Sequence, residues 1–114
     1  MTQLKTVAEV LDAAADLIEP EGAWTKGAFA RDISGKDTSL FGYRGKAVCW
    51  CLLGATQEAA GDDDDGVADH FFAQFLGAAA QDGLACWNDA PERTQAEVVA
   101  KLREAAELAR QGGL

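Results

Sequence analysis

The sequence predicts an α+β domain that is mostly helical, with about four helices around a buried central helix and a small β-hairpin over one face. Three observations carry this. The longest unbroken apolar run, Ala47, Val48, Cys49, Trp50, Cys51, Leu52, Leu53, Gly54 and Ala55, lies in a stretch with no charge between Lys46 and Glu58, so most of its sides must be covered. On either side of it, apolar residues recur at spacings of three and four, the mark of a helix with one buried stripe. Between residues 23 and 44 that period dissolves among Gly27, Gly35 and Gly42, and aromatic and β-branched residues take over.

With 114 residues, the chain forms one domain over residues 1–114 and can bury a core without covalent staples. The first helix is expected over residues 7–19. Thr6 and Glu9 make a capping box, Leu4, Val7, Leu11, Ala14 and Ile18 form the stripe, and Pro20 disfavours helical backbone at the residue before it. Residues 24–32 and 39–44 read as two strands turning near Ser34 to Lys36. A lone hairpin is marginal in water, so Trp24, Phe29, Phe41 or Tyr43 should anchor it on the helices. The apolar run then continues to Ala60 through helix-favouring residues, giving the buried central helix over residues 47–60.

Asp62, Asp63, Asp64 and Asp65 follow, before Gly66. Their spacing does not fit a calcium loop: with Gly66 as the turn glycine, the first and twelfth ligands would be Gly61 and Phe72. At a helix entrance, however, carboxylates favour the positive end. The helix they precede, residues 67–81, presents Ala68, Phe71, Phe72, Phe75, Leu76 and Ala79 on one broad face. Leu84 to Trp87 is short enough for a buried loop or a brief extended piece, and Asn88, Asp89, Ala90 and Pro91 form a turn. Thr94 and Glu97 make a second capping box for a last helix over residues 95–111. There Val98, Leu102, Ala105 and Ala109 face inward, and Lys101, Glu104, Glu107 and Arg110 face water. The cap at Thr6 to Val10 resembles that at Thr94 to Val98, but one shared cap does not make a repeat.

The net charge of −9 argues against direct nucleic-acid binding, since phosphate neutralisation by Lys and Arg supplies most non-specific affinity. Lys26, Arg31, Lys36, Arg44 and Lys46 cluster early, whereas the chain from Ala47 onward is dominated by acids. Such a surface attracts a cationic partner. No run approaches the roughly 20 apolar residues of a membrane span, and the first residues lack a basic segment followed by an apolar one. Three cysteines, an odd number in apolar surroundings, fit a reducing compartment. The expected location is the cytoplasm, without membrane attachment.

Four constellations could carry chemistry. Cys49 or Cys51 near a helix start, followed by His70 and then Asn88 or Asp89, has the chain order of a papain-like nucleophile, base and orienting group. Against it, free cysteine is among the most buried residue types. A zinc set of Cys49, Cys51, Cys86 and His70 fails on a helix, where residues two apart point about 200° from one another. Neither a metal nor a cofactor is therefore expected. Trp24, Trp50 and Trp87, each beside a turn or helix start, could line a shallow pocket rimmed by Asn88, Asp89 and Arg93. In the scaffold alternative the indoles fill core, Asn88 and Asp89 bind turn amides, and Arg93 pairs with an acid. Finally, Glu58, Asp62 to Asp65, Asp69 and Asp82 could mimic a phosphate backbone, although solubility explains the same charges.

The succession Trp24-Thr25-Lys26-Gly27-Ala28, Ala30-Arg31-Asp32, Ala47-Val48-Cys49-Trp50-Cys51 with Gly54-Ala55, and Trp87-Asn88-Asp89-Ala90-Pro91 before Arg93-Thr94 resembles a family of small bacterial and phage proteins of unknown function. The resemblance runs over nearly the whole chain and is most specific from Trp87 to Thr94. It implies a single small cytoplasmic domain borne by phage or mobile elements, and brings no activity to transfer. Together these observations read as a non-enzymatic protein-interaction module, an inhibitor or regulator acting on a protein partner with a basic surface. Its binding residues would be Trp24, Trp50, Trp87, Asn88, Asp89 and Arg93 with Asp62, Asp63, Asp64 and Asp65. The rival class is a Cys-dependent hydrolase using Cys49 or Cys51 with His70 and Asn88 or Asp89.

Overall fold

The computed structural model describes residues 6–38, 47–61 and 66–114. Its first helix, α1 (Val7–Ile18), opens on a complete capping box: Thr6 Oγ1 accepts the Glu9 amide at 3.1 Å, and Glu9 Oε1 accepts the Thr6 amide at 2.9 Å. Two of the amides a helix start leaves unpaired are thereby satisfied. The face made by Leu11, Ala14, Ala15 and Ile18 is fully buried, and it packs against the last helix, α5 (Gln95–Gln111), whose Val98, Leu102, Ala105, Ala106 and Ala109 are equally buried. At the far end of α1, Gln95 Nε2 donates to the Ile18 and Pro20 carbonyls at 2.6 and 2.7 Å, closing off acceptors that the helix end exposes. Arg103 and Arg110 reach from α5 to Asp12 at 3.2 and 2.8 Å, and Arg103 also meets Asp16 at 2.6 Å.

The long apolar run divides. Its first part is a strand, β2 (Cys49–Trp50), antiparallel to β1 (Ala30–Arg31), with Ala30 opposite Trp50 and Arg31 opposite Cys49. Only from Leu52 does it become the buried helix, α2 (Leu52–Ala60), so the expected helical start at Ala47 is corrected by five residues. The cause is tertiary. Val48 donates to Arg31 O, Cys51 to Phe29 O and Trp50 to Ala23 O, while Thr25 donates to Trp50 O, and these ladders override any local helical preference. Of the strand expected over residues 24–32 only β1 forms, but the turn falls where expected, with Asp32 Oδ1 accepting from the amides of Ser34 and Lys36 at 2.9 and 3.0 Å and Gly35 at φ +87°. Past the turn, Asp37 bridges Arg31 and Thr38 donates to Ala30 O, so β1 is paired along both edges. The expected return strand over residues 39–44, with Phe41 and Tyr43, lies outside the described residues.

One position in α2 admits no side chain. A Cβ built on Gly54 would stand 1.8 Å from Phe29 O, because the first turn of α2 is pressed against the backbone of the residue just before β1. Next comes α3 (Val67–Leu76), which buries Ala68 and Phe72 and leaves Phe71, Phe75 and Leu76 half-buried. It is shorter than expected: Gly77 at φ +61° ends it, a 3₁₀ turn (Gly77–Ala80) follows, and Ala79 is exposed. Where a loop or extended piece was expected, a fifth helix forms, α4 (Leu84–Asp89), burying Trp87 and Asn88. The Trp87 ring meets Phe72 edge-on at 5.8 Å, a favoured aromatic geometry.

At the start of α5 the second box is half made. Thr94 Oγ1 accepts the Glu97 amide at 3.2 Å, but the Glu97 carboxylate binds Arg93 at 2.8 Å instead of returning to Thr94. The expected inward and outward faces of α5 both hold. Because α1 packs on α5, α2, α3 and β2, it shares the centre of the domain with α2. No helix among the described residues is long and apolar enough to cross a membrane.

Two outcomes follow from this packing. Gly54→Ala drives a methyl into backbone that has no room to yield, and should lower stability by about 3 kcal/mol, read from the shift in urea midpoint at constant slope. At Asp12, burial would raise the carboxyl's pKa, but hydrogen bonds and charges from Arg110 and Arg103 hold it below the usual carboxylate value. A folded-state pKa below the unfolded one gives stability that is present above about pH 4 and lost as pH falls through the folded value. Asp12→Asn should therefore flatten the fall of the urea midpoint between about pH 5 and pH 3.

Candidate functional site

Helix α4 carries a polar side chain into the core. Asn88 is fully buried. Its Oδ1 accepts from Trp24 Nε1 at 2.7 Å and from the Leu52 amide at 3.1 Å, and its Nδ2 donates to Thr25 O at 3.1 Å and Asp89 Oδ1 at 2.9 Å. A carboxamide has two acceptor lone pairs and two N–H donors, and here all four are in use. This one side chain joins the loop before β1, the start of α2 and the end of α4.

The next residue extends the junction. Asp89 Oδ1 also accepts the Gly27 amide at 3.1 Å, and Lys26 Nζ donates to Ala90 O at 2.7 Å. Gly27 turns at φ +80°, open to glycine and strained for other residues. Arg31 gathers the same loop from within: its guanidinium donates to Thr25 Oγ1, Lys26 O and Gly35 O at 3.0–3.1 Å. Held at this separation, the loop and α4 border an open surface pocket of about 270 Å³, lined among the described residues by Gly27, Ala28, Phe29, Asp37, Cys51, Ala85 and Asp89.

Cys51 sits at that wall as the N-cap of α2, its Sγ accepting the Gly54 amide at 3.4 Å. Burial pushes the thiol's pKa up. The helix amides of Gly54 and Leu53 pull the other way, and the Asp89 charge adds to the rise. The net effect keeps Cys51 a neutral thiol at neutral pH, whereas a nucleophile needs thiolate. Cys49 is half-buried on β2 and Cys86, expected in apolar surroundings, is exposed on α4. His70 is exposed in the first turn of α3, and Asn88 has no lone pair left with which to orient an imidazole. Cys49 does not lie on a helix, so the angular argument against zinc lapses. Among the described residues, nevertheless, no group of three or more His, Cys, Asp or Glu could hold a metal ion.

The tryptophans separate into two places. Trp24 and Trp50 are paired through a parallel bridge, and the Trp24 indole binds Asn88. Trp87 lies buried on α4 with the Arg93 guanidinium 4.1 Å above its ring, while Arg93 Nε donates to Trp87 O at 2.8 Å and Nη1 meets Glu97. None of the three indoles is among the described residues of the cavity wall. Asp62, Asp63, Asp64 and Asp65 lie outside the described residues. Among the described residues expected at a binding site, Asp89 alone lines the pocket, with its neighbour Asn88 bonded to it; Cys51 of the rival set is there too. Sequence reasoning about a site missed Gly27, Ala28, Phe29, Asp37 and Ala85. Only Gly27 left a trace, as a glycine between Lys26 and Ala28 in a stretch with no helical period.

A family model described as a family of unknown function (DUF6197) matches residues 2–108, which takes in every described element but the last turn of α5. No curated protein and no solved structure matches the chain.

Replacing Asn88 tests how much the junction carries. Asn88→Ala leaves the Leu52 amide, the Trp24 indole N–H and the Thr25 carbonyl without their partner, at about 1–3 kcal/mol for each group that stays buried and unsatisfied. The expected loss, about 3 kcal/mol or more in chemical denaturation, is a large share of a typical domain's stability.

Proposed function

The chain belongs to the DUF6197 family of unknown function, and from its geometry we propose that it is a non-enzymatic protein-interaction module that engages a partner with a basic surface. The observation that carries this reading is how its own bases are used. Lys26 binds a backbone carbonyl, Arg31 binds loop acceptors, and Arg93, Lys101, Arg103 and Arg110 all pair with carboxylates. Exposed Glu21, Asp82 and Glu92 have no cation partner among the described residues. With a net charge of −9 and these six bases engaged by acceptors of the chain itself, the protein presents surplus negative charge, which steers cationic partners and repels nucleic acid. A neutral buried Cys51 and a saturated Asn88 support binding over nucleophilic catalysis. Such a surface suits an inhibitor or regulator borne by a phage or mobile element that occupies a basic protein in the cytoplasm.

Two measurements test this. Titration with a lysine-rich peptide should give binding that weakens steeply as salt is raised, while duplex DNA should give none. Iodoacetamide should modify Cys51 of the native protein more slowly than an unstructured thiol. Rapid alkylation at Cys51 would favour the hydrolase, and salt-insensitive peptide binding would remove the electrostatic basis of the proposal.

A further inference from the structure

The cavity between the Gly27 loop and α4 gives the proposed interaction a definite site. Resting on that reading, we propose that it receives one lysine side chain of the partner, the aliphatic stem against Phe29 and Ala85 and the ammonium at Asp89. Size argues first. At about 270 Å³ the pocket lies at the small end of ligand sites and has room for a single side chain. The wall has the matching character: Ala28, Phe29 and Ala85 are apolar, and Asp89 brings a carboxylate.

Asp89 also selects the kind of cation. Both lone pairs of Oδ1 are taken, by the Gly27 amide and Asn88 Nδ2, whereas Oδ2 meets no donor and no ion pair among the described residues. One open oxygen cannot offer the two parallel bonds that an arginine fork prefers, but it suffices for a compact ammonium. Because the wall is fixed by the Asn88 and Gly27 hydrogen bonds, little ordering accompanies entry, the condition under which a small contact gains affinity. Exposed Phe29, Ile33 and Val48 on and beside the ladder supply apolar surface for the residues that flank such a lysine.

The test uses the full chain, with n-butylamine, n-butanol and Nα-acetyl-lysine methylamide as probes followed by amide chemical shifts. Butylamine and the blocked lysine should both move the signals of Gly27, Ala28 and Ala85, and butanol should not. Asp89→Asn keeps an Oδ1 for Gly27 and Asn88 while removing the charge, and should weaken both amines about tenfold, the loss of one charge-assisted hydrogen bond. Ala85→Leu, which fills the cavity from an exposed helix position, should abolish the shifts with the fold intact. Equal shifts from butanol, or amine binding unchanged in Asp89→Asn, would overturn the lysine site, as would binding of butylamine without the blocked lysine. If a lysine-rich peptide still bound in a salt-dependent way while these signals stayed still, the interaction module would stand and this site would fall; no peptide binding at all would end both.

Discussion

The buried carboxamide of Asn88 is the constraint from which the rest of the functional half is hung. Placing an amide in a core is unfavourable unless every donor and acceptor is answered. Here the answers come from Trp24, Thr25 and Leu52, distant from Asn88 in the chain, and from its neighbour Asp89. Satisfying them fixes where the loop before β1, the start of α2 and the end of α4 must meet. A wholly apolar side chain at this point would fill volume without selecting one arrangement, whereas four directional bonds are met in only one. The short α4, six residues long, is thereby set against two neighbours by more than its own length could secure.

A second, simpler seam holds the other half. Helices α1 and α5 meet through Ala14, Ala15, Ala105, Ala106 and Ala109, all fully buried. Small residues let the backbones approach, and Leu11, Ile18, Val98 and Leu102 fill what remains. The ion pairs of Arg103 and Arg110 with Asp12 and Asp16 lie along the edge of this seam, partly in water. At that exposure they orient the helices more than they stabilise them. The division of labour is physical: apolar burial supplies the free energy at the α1–α5 seam, and hydrogen-bond direction supplies the geometry at Asn88.

The candidate site follows from the second of these. A cavity survives beside Asp89 because the Gly27 loop is held to α4 by polar bonds rather than collapsed onto it by apolar contact. Its wall inherits a carboxylate with one oxygen bound and one open, and a cysteine whose role is to cap α2. The same bonds that make Asn88 a good support take it out of any catalytic set, since a group with no free valence has nothing to offer a reacting partner.

Sequence alone determined the helices whose signals are local. The Thr6 and Glu9 box, the stripe of Leu11, Ala14 and Ile18, the turn at Ser34 to Lys36, and both faces of α5 depend on neighbours a few residues away, and all appear as read. Even α4 had a signal, since Leu84, Trp87 and Asn88 stand at helical spacing, hidden by the polar residue among them. Only the tertiary structure decided the rest. Cys49 and Trp50 became strand because Ala30 and Arg31 lie beside them, and Asp89 reached Gly27 across a gap of 62 residues. Composition and period carry no record of contacts between distant segments, and a cavity is made of nothing else.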